Sequence, residues 1–89
     1  MLESPRVLLT FPCAFPVKAI GRHSADFEAI VVGIVRRHAP DLRDDAVSSR
    51  LSGHGAYLAV TATIIARSRE QLDALYRDLN GHAQVLMVL

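Results

Sequence analysis

The chain has one cysteine, no tryptophan, few aromatic residues, and no excess of either charge sign. With only Cys13, no intrachain disulfide and no CxxC metal or redox motif can form, which suits a reducing, cytoplasmic compartment. A formal net charge of +1, with acids and bases interleaved, gives no broad field to draw in nucleic acid or anionic lipid. Uninterrupted apolar runs are too short for a bilayer, so no transmembrane helix is expected. The block Val7–Phe15 is apolar enough to suggest a leader, but Glu3, Pro12 and Pro16 break the pattern and its end is needed for a strand, so it reads as mature protein.

Half of the chain is apolar (51%), and 89 residues suffice for one core and one domain. Residues 1–13 read as an extended lead-in that lays Leu8, Leu9 and Phe11 on the domain edge, and residues 14–89 as the domain. Ala14–Gly21 is rich in strand formers and closed by glycine. Phe27, Ile30, Val31, Ile34 and Val35 then recur with helical spacing. Ser24 is placed to cap that helix, Arg36, Arg37 and His38 favour its carboxyl end, and Ala39-Pro40 stops it. Gly33 inside the helix is either a point of close approach to the sheet or simply tolerated.

After the charged segment Asp41–Asp45, Val47–Ser52 reads as an edge strand turning at Gly53-His54-Gly55 into a second arm. That arm alternates cleanly, with Leu58, Val60, Ala62 and Ile64 on one face and Tyr57, Thr61, Thr63 and Ile65 on the other. Ser68 and Gln71 form a capping box ahead of Leu72, Leu75, Tyr76 and Leu79, a second helix closed by Asn80-Gly81. Gln84–Leu89 is a last strand. The order βαββαβ predicts an α+β, ferredoxin-like two-layer sandwich with antiparallel sheet order 4-1-3-2 and both helices on one face.

That topology gathers Arg22, His23, Ser24, His54 and His82 at one rim. Free N–H groups at the start of the first helix, with Gly21, Arg22, His23 and Ser24 beside them, are the candidate site for a carboxylate or phosphate. The plain alternative is a capped helix with a solvated arginine. Three rim histidines could bind a metal, but their spacing gives no ligand signature and no cysteine or carboxylate pair joins them, so no metal or other cofactor is expected. No GxSxG, P-loop or HExxH motif is present, and catalytic residues are not assigned. Acylphosphatases share this topology but carry a Gly-rich loop that Gly21-Arg22-His23-Ser24 lacks. RNA-binding domains of the same topology stack bases on sheet aromatics, and Tyr57 alone offers that here, so nucleic acid is an unlikely partner. The face bearing Tyr57, Thr61, Thr63 and Ile65, with its exposed edge strand, suits a protein partner or self-association; plain solvent exposure is the alternative.

Three segments, LLTFPCAFPVKAIGR, VRRHAP and DALYRDLNGHAQVLMVL, resemble the bacterial YbeD-like family over nearly the whole chain. The resemblance implies a ferredoxin-like fold akin to the ACT-type regulatory domains that bind amino acids, and it implies no specific reaction. ACT domains usually carry a Pro-Gly turn after the first strand, of which Gly21 alone is kept here. Two expectations follow: a non-enzymatic regulatory or interaction module, or an ACT-like sensor of an amino acid or carboxylate.

Overall fold

The computed structural model describes residues 9–89. Strand β1 (Cys13–Arg22) leads to helix α1 (Phe27–His38). A short 3₁₀ turn (Asp44–Ala46) precedes the hairpin β2 (Val47–Ser52) and β3 (Tyr57–Ala66), followed by helix α2 (Arg69–Asn80) and the brief strand β4 (Met87–Val88). The four strands form one antiparallel sheet in the order β2-β3-β1-β4, which is 4-1-3-2 read from the other edge. The expected ferredoxin-like arrangement is therefore the fold of the chain.

Alternation on the two central strands determines what the sheet presents to each side. Val17, Ala19 and Gly21 of β1 and Leu58, Val60, Ala62, Ile64 and Ala66 of β3 turn inward and are buried. They meet Phe27, Val31, Ile34 and Val35 of α1 and Leu72, Leu75 and Leu79 of α2 in one core. At 25 cal/mol per Å² of buried apolar surface, each such large side chain contributes roughly 1.5–3 kcal/mol, the main force holding both helices to one face. Among the described residues no helix lies over the opposite face of the sheet.

Both helix ends are tied locally. Ser68 Oγ accepts the Gln71 backbone N–H at 3.0 Å, and the Gln71 side chain reaches back to accept from the Arg67 N–H, completing the expected capping box one residue early. The same side-chain amide donates to the His38 carbonyl at 2.8 Å, which joins the start of α2 to the end of α1. Asp78 of α2 holds both Arg37 (3.1 Å) and His38 Nε2 (2.9 Å) of α1, so both residues at the end of α1 are tied to the second helix.

The hydrogen bond from His38, helped by Arg37, holds the Asp78 carboxyl below its ordinary range. A carboxyl depressed in the folded state adds stability above its unfolded value of about 3.9, and that increment is lost as pH falls through the folded value. Asp78→Asn is expected to lower the melting temperature at pH 7 and to flatten its decline below about pH 4, checked by thermal scans across pH.

Three details differ from the sequence reading, and the two alternatives left open for Gly33 are resolved. Ser24 does not cap α1: the helix begins at Phe27, Asp26 stands at the N-cap with no side-chain cap bond, and Ser24 Oγ donates to Asp26 Oδ1 at 2.8 Å. The last strand pairs later than Gln84. The N–H groups of Gln84 and Val85 are taken by the His82 ring and the His82 carbonyl, leaving Leu86 and Leu89 to donate to β1. Of the lead-in, Phe11 packs against the core and Leu9 is exposed, while Leu8 lies outside the described residues. Gly33 makes no close approach, since a Cβ there would meet nothing within 4 Å. Gly33→Ala is accordingly expected to raise stability by about 0.5–1 kcal/mol, measurable by urea denaturation.

Candidate functional site

The hairpin turn and the start of α1 do share a rim. The His23 N–H donates to the Ala56 carbonyl at 2.9 Å, tying the turn after β1 to the hairpin. Gly53, His54 and Gly55 all take positive φ, a conformation that two glycines adopt without strain and that folds the tip tightly. Arg22 extends over the Tyr57 ring, its guanidinium carbon 5.9 Å from the centroid. The rim histidines do not form a cluster: among the described residues no three His, Cys, Asp or Glu side chains come close enough to hold a metal ion.

The residues 21–24 have individual tasks that are visible in the geometry. Gly21 is buried, and a Cβ on it would run into the Phe27 ring (2.6 Å from Cζ) and the Gln84 carbonyl. Phe27 thus fits into the space left by the missing side chain, which seats the first turn of α1 on β1. Asp26 and Glu28 stand at the start of that helix, so the positive end of its dipole already faces carboxylates of the chain itself. Arg22 and His23 are exposed, and Ser24 is occupied with Asp26.

On the uncovered face, strand register places side chains row by row. Arg22 lies across from Tyr57, Lys18 from Thr61 and Pro16 from Thr63 on β1 and β3. Ser48, Arg50 and Ser52 of β2 oppose Thr61, Ala59 and Tyr57. Met87 of β4 lies across from Ile20, and Leu89 exchanges two backbone hydrogen bonds with Lys18. The four expected residues Tyr57, Thr61, Thr63 and Ile65 all lie on this face. Large apolar side chains remain open to solvent there: Ile65 is 41% exposed, Met87 52% and Leu89 61%.

Lys18, Arg50 and Met87 on this face belong to neither site expected from the sequence, and Arg22 belongs there to the rim and not to this face. The inward run Val17, Ala19, Gly21 was enough to put Lys18 and Arg22 outward, but Met87 needed the register of a two-residue strand. Lys18, Ser48, Ser49, Arg50, Ala59 and Thr61 line a shallow hollow of about 290 Å³, two cations beside three hydroxyl-bearing residues and an alanine. A second open groove runs between α1 and β2, lined by Ala25, Glu28, Ala29, Val32, Asp44 and Val47. Both are clefts open to water, where pockets for small ligands usually enclose most of their guest.

No helix among the described residues is long and apolar enough to cross a membrane. In overall fold the chain is similar to protein HP0495 from H. pylori, whose solution structure superposes with a TM-score of 0.68 at 7% identity, covering 100% of this chain and 98% of that one. In sequence it is similar to UPF0250 proteins of Leptothrix cholodnii (46% identical, 100% of both chains) and Chromobacterium violaceum (43%, 100% of both). A UPF0250 protein of Nitrosomonas europaea is 45% identical over 92% of this chain and 94% of its own. Residues 6–89 match the family model described as protein of unknown function DUF493, and with relatives this similar over their whole length, the chain belongs to that YbeD-like, UPF0250 family.

Proposed function

We propose that this protein works by binding, as a small cytoplasmic regulatory or protein-interaction module without catalytic chemistry, and that its contact surface is the uncovered face of the sheet. One observation carries the reading: in a fold where both helices cover one side, the other side keeps Ile65, Met87 and Leu89 in water on a four-stranded sheet. Exposed apolar side chains gathered on one flat face mark surfaces that meet a partner. The free cysteine, Cys13, is in keeping with a reducing compartment.

The ACT-like sensor reading has weaker support. Its ligand would have to approach a glycine already filled by Phe27 and a helix start already faced by Asp26 and Glu28. The test of the module is positional. A photoreactive side chain at Thr63, exposed on the uncovered face, is expected to give a discrete protein adduct in the cells that make the chain, and the same group at Asp73 on α2 is not. Equal adducts from both positions, or none from Thr63, would contradict it.

A further inference from the structure

Resting on that reading, we infer that the uncovered face takes an acidic segment of another protein, one that carries Asp or Glu among aliphatic side chains, and does not take a second copy of this chain. The basis is how charge is sorted between the layers. No described strand contains an Asp or Glu; every described acid lies on a helix or in the segments that lead into the helices and β2. Lys18, Arg22 and Arg50 by contrast project from the uncovered face, and none of them has an ion-pair partner among the described residues. Most arginines on the helical side, Arg36, Arg37, Arg43 and Arg67, are paired with an aspartate. Overall neutrality therefore hides a face of one sign.

That sorting decides among occupants. A second copy laid face to face would oppose Lys18, Arg22 and Arg50 to themselves with no side-chain carboxylate between them, and like charges brought together at an interface disfavour the pairing. Single-stranded nucleic acid would meet the cations but finds one aromatic ring, Tyr57, whose face the Arg22 guanidinium already covers, beside aliphatic Ile20, Ile65 and Met87 that do not stack bases. An acidic, aliphatic segment satisfies both features. Its carboxylates meet Lys18 and Arg50 in the hollow beside the Ser48 and Thr61 hydroxyls, and its apolar side chains cover Met87 and Ile20.

The test uses the full chain with the photoreactive group at Thr63, in wild-type background and with Lys18→Glu plus Arg50→Glu. The cross-linked peptide is sequenced by mass spectrometry. The expected result is a partner segment rich in Asp, Glu and aliphatic residues, and an adduct yield about tenfold lower in the charge-reversed chain. Circular dichroism and melting temperature should be unchanged by the two reversals, since both side chains are exposed. An adduct to a neutral or basic segment, to this same chain, or to nucleic acid, or a yield unmoved by charge reversal, overturns the acidic-partner inference while the binding surface stands. No adduct from Thr63 at all overturns both.

Discussion

Gly21→Ala is expected to destabilise the protein by about 2–3 kcal/mol, the upper range for forcing one methyl into a packed core. For a domain of this size, that corresponds to a fall of roughly 10–20 °C in melting temperature. The new Cβ would have to displace either the Phe27 ring or the Gln84 carbonyl. The first cannot move without lifting α1 from β1, because Phe27 is completely buried at the first turn of the helix. The second lies on the turn that brings the chain into β4, so its retreat would loosen the pairing of Leu86 with Ile20. Glycine is required here by space, not by backbone angle, so the effect should appear in the isolated protein with no ligand added. A variant that keeps its melting temperature yet loses a metabolite response would instead make Gly21 a binding position.

The second large effect is on the other side of the same contact. Phe27→Ala is expected to cost about 3–5 kcal/mol, from lost transfer energy plus the cavity left between α1 and β1. Against a total stability of roughly 5–15 kcal/mol this leaves the domain marginal. The gentler Phe27→Leu therefore serves for a double-mutant cycle with Gly21→Ala, read by urea denaturation. Because the two residues share one volume, the alanine methyl should be cheaper beside Leu than beside Phe. Their effects are expected to fall short of additivity by about 1 kcal/mol or more. Strict additivity would mean that the methyl is resisted by the Gln84 carbonyl and not by the ring.

How far the fold could be read from residues follows from the range over which each signal acts. The inward alternation of β3, the capping box of α2 and the Gly53-His54-Gly55 turn are short-range patterns, and all three are realised. At the start of α1, Ser24 has the right chemistry for a cap, but the choice between Ser24 and Asp26 depends on where Phe27 must sit to fill Gly21. The shortening of β4 likewise rests on the His82 carbonyl and ring taking backbone donors, a tertiary turn without a strong sequence mark. Leu42, buried within a segment that reads as a charged loop, is held inward by a loop tied down at Arg36–Asp44 and Arg67–Asp41.

The surface was legible by half. Tyr57, Thr61, Thr63 and Ile65 follow from alternation on one strand. Its cationic character appears only when β1, β2 and β3 are laid side by side in register, since Lys18, Arg22 and Arg50 are far apart in the chain. A net charge of +1 averages over the separation between layers that gives the face its sign, and so conceals it.

The central claim, that the uncovered sheet face meets a partner, is tested most directly by backbone amide spectra of isotope-labelled protein recorded in buffer and then in lysate of the cells that make it. Lys18, Ile20, Arg50, Thr61, Thr63 and Met87 are expected to broaden or shift while the exposed positions of α1 and α2 stay sharp. Changes centred on His23 to Asp26 and the start of α1, or spread evenly over both helices, would contradict it.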